Sequence, residues 1–226
     1  TLSIIIIASG IGYADYHYAS HEGSNEYPYT SWETAADSIQ KAIDAAEPGD
    51  TVYVGEGIFV ENLIMKDTLA LIGLGWENTT IDGMSYEQED WAVIFAARDN
   101  LIEGVKIYGR YFRYPDNNGA GGISGMNGDR GLIVKNCLIH DCDDGIHVYG
   151  YCVVENCILE NNYTFNVFLF AGGVQLVNNT FHQTVWGQYN LELWDGDLGI
   201  EIRKNIIESP DDHFGSAGQI SDCDFG

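Results

Sequence analysis

Basic residues are scarce in this sequence, and their scarcity excludes several classes of partner. The chain carries 10 lysine and arginine residues against 34 aspartate and glutamate residues, which gives a formal net charge of -24. Nucleic acid or an anionic membrane surface would repel such a chain, since no basic patch is segregated from the acidic residues. The sequence also lacks a run of 18 apolar residues, so no segment is predicted to span a bilayer.

Apolar residues, in contrast, are plentiful. They make up 45% of the 226 residues, and no long polar linker divides the chain. We therefore predict a single domain over residues 13–226, preceded by an apolar arm or strand over residues 1–12. The strong acidity is compatible with bound multivalent cations such as calcium, with a saline or calcium-rich exterior, or simply with solubility.

One short helix is predicted, between Asp37 and Ala46. Its apolar residues fall at helical spacing: Ile39, Ala42, Ile43 and Ala46. Asp37 is placed to cap the first turn, with Gln40 three residues later to return the capping hydrogen bond. Pro48 prevents the helix from continuing, and the β-branched and aromatic segment Thr51–Val54 predicts strands from there on.

Short strands separated by turns account for the rest of the chain. A first strand is predicted over residues 13–20, and from Asp50 onward apolar segments alternate with glycine, asparagine and aspartate. Four of these segments superpose at offsets of 20, about 22 and about 26 residues: Val134–Ile139, Val154–Leu159, Val177–His182 and Arg203–Glu208. Such a period is typical of a solenoid, and it predicts about seven coils after Asp50.

This alignment stacks one position of four successive coils: Cys137, Cys157, Asn179 and Asn205. Side-chain amides that are stacked in this way can hydrogen-bond along the column. We interpret these four residues as a structural ladder of the solenoid and not as a catalytic site.

The five cysteines leave two interpretations open. Cys137 and Cys157 lie one coil apart in the ladder, where their Cα atoms would be close enough for a disulfide, and two buried thiols are the alternative. Cys223, near the end of the chain, is the odd cysteine and is a candidate for an intermolecular bond.

Three sequons for N-glycosylation are present, at Asn78, Asn162 and Asn178. Each lies near a predicted turn of a coil, as attachment of a glycan requires. They are candidate glycosylation sites on the condition that the protein is exported.

The region from the helix to the second coil carries a pattern that is known from other proteins. The matching residues are Ile39, Ala42, Ala45, Ala46, Gly49–Val54, Gly57, Phe59, Glu61, Ile64, Leu69–Gly75 and Thr79–Gly83. This stretch resembles the N-terminal cap of right-handed parallel β-helix proteins of the pectin-lyase-like class. The resemblance implies an all-β solenoid, a right-handed parallel β-helix, whose short N-terminal capping α-helix covers the open end of the stack. It specifies no function, because such helices carry lyases, hydrolases, adhesins and surface-layer proteins alike.

An acidic cluster before a predicted strand is the main candidate for an active site. It consists of Asp141, Asp143 and Asp144, and His147 follows. Polysaccharide lyases and hydrolases on this fold need clustered carboxylates on one face. The stretch is faintly similar to the acidic and histidine motifs of pectin-hydrolysing relatives, and Arg203 with Lys204 to their basic motif, but the paired glycine-histidine-glycine motif is missing. Solvated turns are the alternative interpretation.

Two further stretches suit ligand binding. Asp195 and Asp197 form the second acidic cluster that could belong to an active site. They are also placed as half of a calcium loop, although no bidentate glutamate follows at the required spacing. Between Tyr108 and Gly122 the repeat lapses, and a predicted loop sets Arg110 and Arg113 among aromatic residues. Such a loop suits sugar stacking, acidic sugars or a protein partner, or else it packs on its own coil.

Two functions follow as hypotheses. The preferred one is an extracellular structural cell-surface protein that self-assembles into a fibre, tube, sheath or surface layer. Its partner would be copies of itself, since no amphipathic helix or charged cap follows the last predicted strand and an apolar arm is present to dock on such an open end. The residues predicted for assembly are Leu2, Ile4, Ile5, Ile6, Ile7 and Cys223. The alternative is a carbohydrate-active enzyme or sugar-binding module, a lyase or glycoside hydrolase, whose partner is a polysaccharide.

Overall fold

Short strands joined by sharp turns build nearly all of the described chain. The structure is a computed structural model, which describes residues 14–83, 92–109, 121–125, 131–170, 173–183, 189–194, 199–208, 219–221 and 223–225. Its elements are β1 Tyr16–Ala19, α1 Ile39–Ala45, β2 Thr51–Val54, β3 Gly57–Val60, β4 Leu63–Ile64, β5 Ala70–Ile72, β6 Thr79–Asp82, β7 Ala92–Phe95, β8 Leu101–Glu103, β9 Lys106–Tyr108, β10 Gly121–Gly125, β11 Leu132–Lys135, β12 Leu138–His140, β13 Asp144–Val148, β14 Cys152–Glu155, β15 Ile158–Glu160, β16 Phe165–Phe170, β17 Val174–Val177, β18 Thr180–His182, β19 Tyr189–Trp194, β20 Ile200–Arg203, β21 Ile206–Glu208, β22 Gln219–Ser221 and β23 Asp224–Phe225.

These strands form three parallel sheets. The first sheet has the order β1-β2-β5-β8-β11-β14-β17-β20-β22, the second β3-β6-β9-β12-β15-β18-β21-β23 and the third β4-β7-β10-β13-β16-β19. Each coil contributes one strand to each sheet, so that six complete triplets run from β2 to β19. The predicted all-β solenoid of parallel strands, with one short helix, is therefore confirmed.

The core is a stack of inward-facing aliphatic columns. In the first sheet the register places these residues directly above one another: Leu71, Ile102, Val134, Val154, Leu176 and Ile202. All of them are buried. Because alternate residues of a strand point to opposite faces, the residues between them face outward, which explains the alternation in the sequence.

The repeated asparagines occupy one turn position between the first and second sheets. Asn136, Asn156 and Asn178 have φ angles of 53°, 56° and 57°, in the left-handed region, and Lys204 follows at 58° in the next coil. Asparagine tolerates this region better than most residues, because its short polar side chain bonds locally. This backbone requirement is the reason why asparagine marks the repeat in the sequence.

The capping helix is present, but its N-cap differs from the prediction. Ser38, and not Asp37, has the extended backbone of an N-cap, and its Oγ accepts a hydrogen bond from the Lys41 backbone nitrogen at 3.4 Å. Asp37 instead pairs with the Lys41 ammonium at 2.7 Å. The prediction for Gln40 is also wrong, since its side chain bonds both backbone groups of Ile64 on the edge strand β4.

Glu61, from the first coil, caps the helix from outside. Its carboxylate accepts hydrogen bonds from Ile39 N at 2.7 Å, Gln40 N at 3.1 Å and Ser38 Oγ at 2.8 Å. The amides at a helix N-terminus have no partner within the helix, so a negative charge there is doubly favourable. The helix in turn buries Ile39, Ala42 and Ile43 over the end of the stack.

Replacing Glu61 by alanine is expected to lower the free energy of unfolding by about 2 kcal/mol, because three accepted hydrogen bonds are lost at a helix terminus. Urea unfolding followed by circular dichroism measures the change. The exposed Glu56, on the same coil, supplies the control, and Glu56→Ala should leave the free energy of unfolding within about 0.5 kcal/mol of the original. Equal midpoints for both variants would contradict the capping role.

Two features predicted for the N-terminus lie at or before the first residue that the structure describes, residue 14. The predicted first strand over residues 13–20 corresponds to β1, which pairs in parallel with β2. The predicted apolar arm over residues 1–12 lies outside the described residues. No helix in the described ranges is long and apolar enough to cross a membrane.

Candidate functional site

Polar side chains of chemical interest gather where the second sheet turns into the third. Strand β13 begins at Asp144, directly after this turn. Ile146 and Val148 of that strand are fully buried in the core. His147 lies between them and therefore faces outward, with 24% of its side chain exposed.

Asp144 and His147 form a close pair on this outer face. Asp144 Oδ2 lies 2.8 Å from His147 Nδ1. A carboxylate at Nδ1 favours the tautomer in which Nδ1 carries the proton and Nε2 carries the lone pair. Asp144 Oδ1 and His147 Nε2 are both buried and have no hydrogen-bond partner within the described part of the chain. Such atoms are costly in a folded protein unless a ligand or a bound water satisfies them.

Asp143, the residue before this pair, holds its proton unusually tightly. Burial raises the pKa of its carboxyl from 3.8 to about 6, and the negative charge of neighbouring Asp144 adds to the increase. The hydrogen bond from Thr164 Oγ1 to Asp143 Oδ1, at 2.9 Å, and the nearby His147 act in the opposite direction. A carboxyl that titrates near pH 6 can donate a proton under mildly acidic conditions.

Aromatic rings from the next coil lie against these polar groups. The register of β13 and β16 aligns His147 with Phe168 and Asp144 with Phe165. The ring centroid of His147 is 4.5 Å from that of Phe168 and 5.4 Å from that of Tyr149. Sites for sugars combine apolar rings with a few placed polar groups in this way.

The predicted acidic trio is divided by the fold. Asp143 and Asp144 lie together, but Asp141 occupies a left-handed turn position with a φ of 53° and pairs with His140 of the second sheet at 2.7 Å. His140 also stacks on Tyr108, with a centroid distance of 5.0 Å. Asp141 is therefore bound to a different outer face from the Asp144 and His147 pair.

The other residues predicted for binding do not join this cluster. Arg203 lies on β20 of the first sheet, where its Nε is 2.6 Å from Glu201 Oε1, and Lys204 is exposed in the following turn. Asp195 and Asp197 lie outside the described residues, as do Arg110, Arg113 and most of the predicted loop.

Sequence reasoning missed Thr164, Phe165 and Phe168. A usable signal was present, because Thr164 follows Asp143 by 21 residues and Phe168 follows His147 by the same interval. That interval is one coil of the repeat, so each residue stacks on its counterpart. The asparagine turn, which marks the repeat in the sequence, lies between the first and second sheets, whereas these three residues lie on a strand of the third sheet or directly before it.

The residues of the predicted ladder lie in one interior column, which continues to Cys223. The register of the strands on either side stacks Cys137 on Cys157 and Asn179 on Asn205. Asn179 Oδ1 accepts a hydrogen bond from Cys157 N at 2.9 Å, and Asn179 Nδ2 donates to Asn205 Oδ1 at 3.1 Å. The half-buried Cys223 sulfur lies 3.9 Å from Asn205 Nδ2.

The five cysteines are all described, and all are thiols. A disulfide between Cys137 and Cys157 is therefore not formed, and of the two interpretations the structure has the buried thiols. Each sulfur lies near a backbone carbonyl of its own coil, that of Lys135 at 3.1 Å for Cys137 and that of Glu155 at 3.3 Å for Cys157. Burial raises the pKa of the Cys157 thiol well above its usual range, which keeps it protonated and unreactive.

The three sequons differ in exposure. Asn78 and Asn178 are exposed on turns, so their predicted glycosylation stays a prediction. Asn162 is fully buried, and its Nδ2 donates to the Ile139 carbonyl at 3.2 Å and to Asn166 Oδ1 at 2.6 Å. A glycan on Asn162 is incompatible with this fold, so that candidate is wrong.

No group of three or more histidine, cysteine, aspartate or glutamate side chains is placed to hold a metal ion in the ranges that the structure describes. The calcium site suggested for Asp195 and Asp197 falls outside those ranges and stays a prediction. The cluster around Asp143 consists of two carboxyl groups, one imidazole and neighbouring rings.

Comparison with known families identifies the fold. Residues 71–222 match the family described as a right handed beta helix region. The chain belongs to the right-handed β-helix family. The handedness predicted from the sequence is thereby confirmed together with the parallel sheets. No curated protein matches the sequence.

Three solved structures illustrate the likeness. A pectin methylesterase variant in complex with a hexasaccharide has a TM-score of 0.66 at 14% identity, over 87% of this chain and 66% of that one. Pectin methylesterase PemA from Erwinia chrysanthemi has a TM-score of 0.57 at 12% identity, over 87% and 79%. The catalytic domain of an α-1,3-glucanase in complex with tetrasaccharides has a TM-score of 0.51 at 14% identity, over 93% and 39%. Identities this low establish the shared fold alone.

Proposed function

We propose that this right-handed β-helix protein is a carbohydrate-active enzyme that hydrolyses a polysaccharide on the outer face of its third sheet. The observation that carries the proposal is the carboxyl of Asp143, with its raised pKa, next to the Asp144 and His147 pair. The solved structures lend support through the fold, since they include a pectin methylesterase bound to a hexasaccharide and an α-1,3-glucanase bound to tetrasaccharides.

The roles of the three residues follow from the raised pKa of Asp143 and from the hydrogen bond between Asp144 and His147. Protonated Asp143 donates its proton to the leaving oxygen as the bond between the anomeric carbon and that oxygen breaks. His147 accepts a proton at Nε2 from a water molecule, whose oxygen forms the new bond to the anomeric carbon. Asp144 holds the imidazole in the required tautomer and stabilises the positive charge that develops on it.

The charge of the protein favours a neutral substrate. A polyuronate would meet two carboxyl groups at the site and a net charge of -24 on the protein. An uncharged glucan, or a uronate polymer masked as methyl esters, meets no such repulsion. Phe165 and Phe168 offer apolar surface to the C–H face of a sugar ring.

Three products distinguish the possible reactions. The protein is incubated with α-1,3-glucan, highly methyl-esterified pectin and polygalacturonate, and new reducing ends, methanol and ultraviolet-absorbing unsaturated ends are measured. Hydrolysis of glycosidic bonds is expected to produce reducing ends without unsaturated ends. Methanol alone would indicate an esterase, unsaturated ends would indicate a lyase, and the absence of all three would contradict the proposal.

The His147→Gln variant tests the assigned base. Loss of the base is expected to lower kcat by about 10²-fold to 10⁴-fold. Asp141→Asn is the matched control, because Asp141 belongs to the same acidic run but pairs with His140. Asparagine also tolerates the left-handed backbone of that position, so the control should fold and retain its activity. Equal activity in the two variants would exclude His147 from the reaction.

Self-assembly, the hypothesis preferred from the sequence alone, gains no support from these comparisons, which favour the alternative. Its main residues, Leu2 and Ile4 to Ile7, lie outside the described ranges, and Cys223 extends an interior column of the solenoid. An extracellular or cell-surface location stays a prediction.

A further inference from the structure

A row of aromatic rings covers the outer face of the first sheet at its N-terminal end. We call it the aromatic row, and it consists of Tyr16 and Tyr18 on β1, Tyr53 on β2 and Trp32 from the segment that precedes the helix. Ring centroids are 5.8 Å apart for Tyr16 and Tyr53, 5.6 Å for Tyr53 and Tyr18, and 4.7 Å for Tyr18 and Trp32. Tyr16 is 51% exposed and Trp32 is 40% exposed, so both ends of the row are open to solvent.

The row is held in place from the inner side of the sheet. His17, between the two tyrosines of β1, faces inward and bonds Asp50 Oδ2 at 3.3 Å and the Pro28 carbonyl at 2.8 Å. The segment that carries Trp32 is attached to β1 by backbone hydrogen bonds, among them Tyr18 N to Tyr29 O at 2.8 Å. The rings are therefore ordered before any ligand arrives, which lowers the entropic cost of binding.

The outer face of the same sheet changes character in later coils. There the outward positions of the described strands carry aliphatic and charged residues and no aromatic ring, as with Ile133 and Lys135 on β11. Some of the charges form ion pairs, such as Lys135 with Glu155 at 2.9 Å and Arg203 with Glu201 at 2.6 Å. Single exposed apolar residues are normal on a protein surface and need no explanation. A cluster of four large rings is unusual there, and such clusters mark interaction sites. The confinement of the rings to β1, β2 and the adjoining segment of Trp32 marks this end of the sheet as a binding surface.

We infer that the aromatic row is a second glycan-binding site, separate from the cluster around Asp143, and that it holds a neutral polysaccharide by stacking of sugar rings. Tyrosine and tryptophan offer flat apolar faces together with O–H and N–H groups at their edges, which matches the mixed surface of a sugar. A second copy of the chain is a poorer occupant, because it would bring another net charge of -24 to the surface. The choice of a polysaccharide as ligand rests on the proposed function.

The site lies on a different sheet from Asp143 and His147 and three coils before them. A chain bound there would be held beside the solenoid without contacting the reacting groups. Its effect would be to keep the enzyme on a long polymer between cleavage events, as expected for two linked binding sites.

Binding is measured without turnover, in an Asp143→Asn background, so that the polymer is not consumed. The probes are highly methyl-esterified pectin in affinity electrophoresis and insoluble α-1,3-glucan in a sedimentation assay. The double variant Tyr16→Ala/Trp32→Ala is expected to raise the dissociation constant about tenfold or more for whichever of the two polymers the parent protein binds. Tyr27→Ala is the matched control, because Tyr27 is 71% exposed and contacts Tyr29 outside the row, and it should stay within about twofold.

Several results would overturn the inference. Unchanged binding in the double variant, an equal loss in Tyr27→Ala, or no binding of either polymer by the parent protein would each do so. A dimer in sedimentation equilibrium that the double variant abolishes would reassign the row to contacts between copies. The two proposals fail separately, since loss of binding in the double variant without turnover by the native chain would leave this inference standing and remove the hydrolase.

Discussion

Replacing Asp143 by asparagine is expected to remove most of the hydrolytic activity and, at neutral pH, to make the folded protein more stable. Both effects have one cause, the burial that raises the pKa of this carboxyl to about 6. The raised pKa keeps a proton available for the leaving oxygen, and asparagine has no such proton to give. The kcat is expected to fall about 10²-fold to 10⁴-fold, as for other lost general acids.

The gain in stability depends on pH in a defined direction. The folded state holds the proton of Asp143 more tightly than the unfolded chain does. The contribution of this carboxyl to the stability of the folded state is therefore complete below pH 4 and is lost as pH rises through about 6. At pH 7 the folded protein therefore carries an unfavourable buried charge. A shift of two pKa units corresponds to about 3 kcal/mol, and because the carboxyl is partly exposed we expect about 1 kcal/mol.

Asparagine removes the charge and keeps the local hydrogen bond, since its Oδ1 still accepts from Thr164 Oγ1. Urea unfolding between pH 4 and pH 8 measures the result. The free energy of unfolding of Asp143→Asn should equal that of the parent near pH 4 and exceed it near pH 7. Asp141→Asn should show no such divergence, and a difference independent of pH for Asp143→Asn would contradict the assigned cause.

Activity should follow the same titration. If Asp143 donates the proton, kcat/KM of the parent protein falls as pH rises through about 6, since the carboxyl loses its proton there. A profile that is flat from pH 5 to pH 8 would assign the proton to another group.

The helix, the first strand and the coils could be predicted because their signals are local and repeated. The asparagine turns recur at one left-handed backbone position, and the buried aliphatic columns recur with them. The capping of the helix could not be predicted in full, because Glu61 reaches Ser38 and Ile39 from a different coil. The spacing of residues within the helix cannot indicate that Glu61, more than twenty residues away, supplies the capping carboxylate.

Only part of the candidate site could be predicted from the sequence, because some of its contacts are made between different coils. The acidic run named the correct turn, but the aspartates of one turn need not share a face, and only the fold shows that Asp141 joins His140. Phe165 and Phe168 come from the next coil, so their place beside Asp144 and His147 depends on the register between β13 and β16. The aromatic row likewise joins two paired strands to a segment that has no regular structure around Trp32.

Asn179→Ala is expected to be the most destabilising single substitution among those considered. Asn179 is 1% exposed, and its side chain serves two neighbouring coils at once. Its Oδ1 accepts from Cys157 N at 2.9 Å, and its Nδ2 donates to the Val154 carbonyl at 2.9 Å and to Asn205 Oδ1 at 3.1 Å. Alanine leaves a buried N–H and a buried carbonyl without these partners, at about 1 to 3 kcal/mol each.

A small cavity adds to that loss, so the free energy of unfolding should fall by about 3 to 5 kcal/mol. Asn178→Gly is the matched control, because the adjacent Asn178 is exposed and glycine accepts its φ of 57° without strain. That variant should stay within about 1 kcal/mol of the parent in urea unfolding. If Asn179→Ala lost no more stability than this control, the side-chain hydrogen bonds of Asn179 would contribute little to the free energy of unfolding.

Asn179→Cys separates packing from hydrogen bonding at the same position. The chain itself places cysteine there in the two preceding coils, at Cys137 and Cys157, so the volume is tolerated. A thiol is a weak acceptor and a weak donor, and it cannot replace the amide bonds to Cys157 N and the Val154 carbonyl. If hydrogen bonds dominate, Asn179→Cys should lose nearly as much stability as Asn179→Ala. If filling of the column dominates, it should recover most of the loss, and the amide ladder would then contribute little to stability.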